Sequence, residues 1–217
     1  MDTKERFVIT VSREVGSGGR TIGCKLAEKL GVHFYDKELI RTLMRRFNLT
    51  ADAIEEIKGE KKSWLSDFIR FVSPMPAASA IIESDSVYGM EFNPDVTPDD
   101  LYNAEVEILR GLADEGSCVI AGRSGFHILK DHPNKVDIFI TASTKSRVQR
   151  VMAKQGLDEK GAKEVIEKVD ALRENFIQRH TGKSRYDARN YDLSINVDGL
   201  TEDQAVDLIL KYINCEA

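Results

Sequence analysis

The residues of this chain best suited to chemistry are six near the start, Gly16-Ser17-Gly18-Gly19-Arg20-Thr21, together with arginines that recur far downstream at 123, 147, 150, 173 and 185. Glycines at this density let the backbone take positive φ and come close to a ligand, so successive N–H groups can turn toward one anion. Gly19-Arg20-Thr21 stands where a Walker A loop has Gly-Lys-Ser/Thr, with the cation on the β- and γ-phosphates of a nucleotide and the hydroxyl on Mg²⁺. Two residues depart from that motif. Glu14 occupies the place of its first glycine, and Arg20 replaces its lysine. Arginine keeps the positive charge at any usable pH but presents it as a planar fork instead of a compact ammonium.

These groups need a scaffold, and the pattern supplies one. Phe7 to Val11 is an apolar, β-branched run that reads as a buried strand, and Ile22, Leu26 and Leu30, with Ala27, mark a helix from about Arg20 to Gly31. The loop therefore opens a helix, whose unpaired amides and dipole favour an anion. Val32 to Tyr35 predicts a second strand and Asp36 to Arg46 a helix, which sets Asp36, Lys37 and Arg41 near the strand end. A helix over 50–58 and another over 63–72 follow. The second carries Trp64, Leu65, Phe68, Ile69 and Phe71, a face suited to core packing or a homodimer contact. Residues 74–94 read as a mobile loop that could close over a substrate.

Thr97-Pro98-Asp99-Asp100 predicts a helix start, running to about Glu115, and Cys118 to Ala121 a buried strand ended by Gly122-Arg123-Ser124-Gly125. Ligands of open parallel sheets sit at such strand ends, so Arg123 is placed to meet an anion. After a strand at Val136 to Ile140, Ser143 can cap a helix in which Arg147 and Arg150 share a face, and no acid interrupts Lys145 to Lys154. A helix from Asp158 to about His180 carries Asp170 and Arg173. A last strand at Tyr191 to Val197 and a helix from Thr201 to Ile213, with Ala205, Leu208, Ile209 and Tyr212 inward, complete the chain. Alternating strands and helices predict a parallel sheet covered on both faces.

The run S-R-E-V-G-S-G-G-R-T followed by K-L-G-V-H-F-Y-D-K resembles the cytidylate kinase-like family, a branch of the P-loop nucleoside monophosphate kinases whose loop is written S-R-x-x-G-S-G-G-R. Y-D-K, G-R, the downstream arginines and the final strand recur in family order, so the resemblance covers nearly the whole chain. It implies one α/β domain of three-layer P-loop kinase fold, with a parallel five-stranded sheet in the order 2-3-1-4-5. An insertion over about 36–96 would bind the nucleoside monophosphate, and a helical lid would cover about 145–190. ATP and Mg²⁺ are the implied cofactors. Gly16, Ser17, Gly18, Gly19, Arg20 and Thr21 would hold the donor, with Thr21 on the metal. Asp36, Lys37, Arg41, Arg123 and Asp170, with Arg185 in reserve, would contact the acceptor. Arg20, Arg147, Arg150 and Arg173 would act on the transferring phosphoryl group. The implied reaction is transfer from ATP to a nucleoside monophosphate, CMP or dCMP first.

Composition narrows the alternatives. A net charge of −5 over 217 residues argues against a general nucleic-acid binder, which needs excess lysine and arginine. Cys24, Cys118 and Cys215 are few, odd in number and far apart, as expected of reduced thiols in a cytoplasmic protein, and no leader or membrane-length apolar run is read. Four scattered histidines give no zinc spacing. Ala121 and Thr141 stand where an acid is expected near the metal, which with Glu14 and Arg20 keeps open a non-catalytic nucleotide-binding protein, a sensor or assembly partner. A dinucleotide-binding oxidoreductase is the third reading, from Gly16-x-Gly18 and Asp36. Thr21 in the third glycine position and the arginine-rich lid speak against it.

Overall fold

The computed structural model describes residues 1–36 and 98–214. Lys37, Arg41, the predicted insertion with its aromatic helix at 63–72, Thr97 and Cys215 lie outside the described residues. Five strands form one parallel sheet: β1 Val8–Arg13, β2 His33–Asp36, β3 Cys118–Ala121, β4 Lys135–Thr141 and β5 Leu193–Asn196. Their order is β2-β3-β1-β4-β5, as the resemblance implied. β1 lies at the centre, with Val11 opposite Ala121 on one side and Arg13 opposite Ile140 on the other. The carboxyl ends of three strands therefore meet at Arg13, Ala121 and Thr141, where an open parallel sheet accepts ligands.

Six helices are described: α1 Gly19–Leu30, α2 Pro98–Glu115, α3 Gly125–Ile128, α4 Thr144–Gln155, α5 Glu159–Thr181 and α6 Glu202–Asn214. Local chemistry sets their ends. Gly31 closes α1 at φ 67°, its N–H reaching back to Ala27 and Glu28 carbonyls. Ser143 caps α4 by accepting from the Ser146 amide at 3.3 Å, and Asp158 caps α5 by accepting from the Gly161 amide at 2.8 Å. The main core joins Ile9, Val11, Ile22, Leu26, Val119, Ile138, Ile140, Ile209 and their neighbours between sheet, α1 and α6. A separate small cluster, Val15, Val148, Val151, Ala162 and Ile166, fastens the loop after β1 to α4 and α5.

Two expectations need correction. Leu208 and Tyr212 are 44% and 41% exposed, while Ala205, Val206, Ile209 and Ile213 are buried, so α6 is rotated by about one residue from the predicted face. The buried set obeys the same i, i+4 spacing. Asp36 ends β2 instead of starting a helix, pairing in register with Ala121. Among the described residues no helix is long and apolar enough to cross a membrane. Cys24 and Cys118 are buried and form no disulfide among the described residues, and burial pushes the Cys118 thiol up to about 12.

Candidate functional site

Between β1 and α1 the backbone alternates. Gly16 and Gly18 have φ of 78° and 80°, and Ser17 between them does not share that region. Alternation of this kind turns neighbouring N–H groups to one side and makes an anion-holding nest. Gly18 is also the N-cap of α1, so the nest runs into a helix start whose first amides have no acceptor within the helix. Ser17 stiffens the loop from below: its buried hydroxyl donates to the Glu14 carbonyl at 2.9 Å and accepts from the Gly19 amide at 3.4 Å. Thr21 is exposed in the first turn of α1.

Gly16 is glycine for a second reason. A Cβ there would lie 2.6 Å from the Arg147 carbonyl oxygen, because the start of α4 rests directly on the loop. Arg147 is wholly engaged in that joint: its Nε donates to the Val15 carbonyl at 2.7 Å, Nη1 meets Glu14 at 3.0 Å, and Nη2 meets Asp170. Glu14 also accepts from the Thr141 hydroxyl at the end of β4. The residue that breaks the Walker A pattern thus ties three segments together and lies against Arg147 and Thr141.

Asp170, buried on α5, is the centre of this arrangement. Its Oδ1 accepts from the Val15 amide and from Arg185 Nη1, each at 3.1 Å, and Arg173 stands 3.7 Å away. Arg185, only 2% exposed, and Arg173 at 3.4 Å also donate to the Arg13 carbonyl. Three guanidinium groups therefore surround one carboxylate that already receives a loop amide. Arg150 lies apart from them, one turn along α4. Its Nη1 donates to the Ser17 carbonyl at 2.6 Å, and Glu202 is 3.8 Å from its Nη2.

Arg20 leans toward the second strand, where its Nε donates to the buried Asp36 carboxylate at 2.6 Å. On the far side of β1, Gly122, Arg123 and Ser124 all have positive φ, at 81°, 58° and 55°. A non-glycine residue in this region carries backbone strain, and two in succession mark a turn fixed by its surroundings. Arg123 is paired there with the buried Glu105 of α2 and lies 5.5 Å from the Phe176 ring. Tyr102 and His180 stack at 4.0 Å beside that ring, and burial holds the His180 imidazole below its ordinary range.

The arrangement thus brings Gly16, Ser17, Gly18, Arg147, Arg150, Asp170, Arg173 and Arg185 to one loop, pairs Arg20 with Asp36, and holds Arg123 on a separate turn. Sequence reading gave no part to Glu105 or Arg13, and took Glu14 only as a departure from the Walker A pattern. Glu105 recurs with Ile108, Leu109 and Leu112 on the buried face of α2, and an acid on an apolar stripe is a signal that a buried cation needs it.

Known proteins agree with this geometry at the level of fold. An uncharacterized protein from Eubacterium ventriosum is 26% identical, with a TM-score of 0.68 over 97% of this chain and 100% of that one. Shikimate kinase from Bacteroides thetaiotaomicron, 14% identical, shares the fold with a TM-score of 0.51 over 96% and 99% of the two chains. Uronate isomerase from Corynebacterium glutamicum is 36% identical over 109 residues, which are 48% of this chain and 20% of that protein, so the match spans about a fifth of that relative's length. The model of the cytidylate kinase-like family matches residues 8–199, taking in the nest, the Asp170 joint and the Arg123 turn alike. The chain belongs to the cytidylate kinase-like family.

Proposed function

We propose that this protein transfers the γ-phosphoryl group of ATP to a nucleoside monophosphate, with CMP or dCMP as the preferred acceptor. The observation that carries the reading is the nest at Gly16 and Gly18, which opens α1 at the carboxyl end of the central strand and has Arg150 across its rim. Loop amides would bind the donor phosphates, and Arg150 is the downstream arginine set over Ser17 and Gly18. Arg123, held rigidly by Glu105, would take the acceptor phosphate. Arg147, Arg173 and Arg185 act through Asp170, keeping loop and helices in one geometry so that donor and acceptor meet in line. Among the described residues no group of three metal-ligating side chains forms. Magnesium would be held by the exposed Thr21 hydroxyl and otherwise by phosphate oxygens and water, and would supply charge neutralisation.

A second reading, nucleotide binding without transfer, draws on the same joint, since Glu14 and Asp170 already engage Arg147 and neighbouring guanidinium groups. One experiment separates the two. Incubation of the protein with ATP, Mg²⁺ and each common nucleoside monophosphate is expected to yield ADP and the matching diphosphate, fastest with CMP or dCMP. ATP binding by calorimetry with no turnover on any acceptor selects the second reading.

A further inference from the structure

The nest and the Arg123 turn are joined by a side chain. Arg13 is the last residue of β1, and its stem runs past the first residue of α1: a Cβ on Gly19 would come within 2.6 Å of Arg13 Cβ and 3.0 Å of its Cγ. Its guanidinium continues in the other direction and lies directly against Gly122, where a Cβ would overlap Nη1. Gly19 and Gly122 belong to different strand ends, one at the donor loop and one at the Gly122-Arg123-Ser124 turn. Both lack a side chain on the path that Arg13 takes. Gly122 also needs glycine for its φ of 81°, but Gly19, inside α1, has no such demand. The Arg13 stem, with Ile140 Cβ at 3.3 Å behind it, leaves no room for a side chain there.

The backbone of Arg13 is fixed as firmly as its side chain is directed. Its carbonyl accepts from Arg185 and Arg173, and its strand pairs with β4 through Ile140. The residue is half-buried, with its guanidinium against Gly122 at the end of β3. A long cation fixed at its base and aimed from one phosphate site to another is what a migrating phosphoryl group requires, because charge develops between the sites and not at either one.

We infer that Arg13 is a catalytic residue that contacts the γ-phosphoryl group as it passes from the donor loop to the acceptor on the Gly122 turn. The inference rests on the transfer reading above. In the step, an oxygen of the acceptor monophosphate, a dianion near neutral pH, attacks the γ-phosphorus. A new P–O bond forms while the bond to the β–γ bridging oxygen breaks, and ADP departs with that electron pair. Arg13 donates N–H groups to the non-bridging oxygens and gives up no proton.

The test uses Arg13→Ala and Arg13→Lys in the full chain. Calorimetry without acceptor should show ADP affinity within about threefold of wild type and ATP affinity down roughly tenfold in Arg13→Ala. Turnover on the best acceptor should fall about 10²- to 10³-fold in kcat, with partial rescue by added guanidinium in Arg13→Ala and little recovery in Arg13→Lys. Thermal unfolding of both variants reports folding separately. Equal ATP and ADP effects, or kcat within threefold of wild type, would overturn the inference while leaving the transfer reading intact. Wild-type protein that binds ATP without turnover overturns the transfer reading and with it the catalytic role of Arg13, and the ATP-versus-ADP contrast then decides only whether Arg13 meets the γ-phosphate of a bound nucleotide. Binding of neither nucleotide overturns both.

Discussion

The two flanks of the central strand handle charge in opposite ways. Toward β4 and the helices beyond it, Arg147, Arg173 and Arg185 are answered by Asp170, Glu14 and main-chain carbonyls, in a joint fed by four separate segments. Toward β3, Arg123 rests on Glu105, on a turn with two strained non-glycine residues. Among the described residues, Glu105 Oε2 and Ser124 Oγ find no hydrogen-bond partner there. A satisfied network fixes geometry and gains little from a ligand. A strained turn with incomplete polar groups gains when one arrives. Under the transfer reading proposed above, the contrast would give rigidity to the first flank and acceptor recognition to the second.

The most direct way to break the contrast is to remove the hub of the first flank. Asp170→Ala leaves three guanidinium groups and the Val15 amide without their shared carboxylate, and a stability loss of about 3–5 kcal/mol is expected, seen as a fall in the chemical-denaturation midpoint. A loss below ~1 kcal/mol would mean that the hub does not hold the helices. Gly16→Ala comes next. It combines a positive φ with contact against the Arg147 backbone, and about 2–3 kcal/mol is expected, accompanied by weaker nucleotide binding.

The second flank should answer differently. Glu105→Gln keeps the shape of the side chain and removes its charge, so the acceptor KM should rise roughly tenfold, about 1.4 kcal/mol, with the ATP KM unchanged. Equal rises in both constants would erase the distinction between flanks. The smallest effect belongs to pH. Burial holds His127 and His180 below the ordinary histidine range, so the folded state binds fewer protons than the unfolded one just below pH 6.5. Stability should therefore fall as pH drops through that value, by no more than ~2 °C in Tm because both residues stay partly exposed. Replacing both with glutamine should flatten the profile.

Much of this was legible from residue type and spacing alone. The strand, loop and helix around Gly16 emerge from glycine density and a four-residue apolar repeat, and the caps Ser143 and Asp158 sit where the helices start. The shared face of Arg147 and Arg150 also followed from spacing, since both reach the same loop. What spacing could not give was the partner of each charge. Glu14 and Asp170 are 156 positions apart and share Arg147 only because α4 and α5 both fold onto the loop after β1, and periodicity carries no record of such contacts. The face of α6 was misread because Leu208 and Tyr212 are as apolar as the residues that are buried, so the pattern alone left two adjacent phases open.

The hydrogen bond from the Val15 amide to Asp170 gives the molecule a built-in reporter. That single loop proton is protected from solvent exchange by a carboxylate carried on α5, so deuterium can enter when α5 lifts away from the loop. Its exchange rate, followed by NMR or mass spectrometry with and without nucleotide, would read how often α5 detaches from the loop in each state.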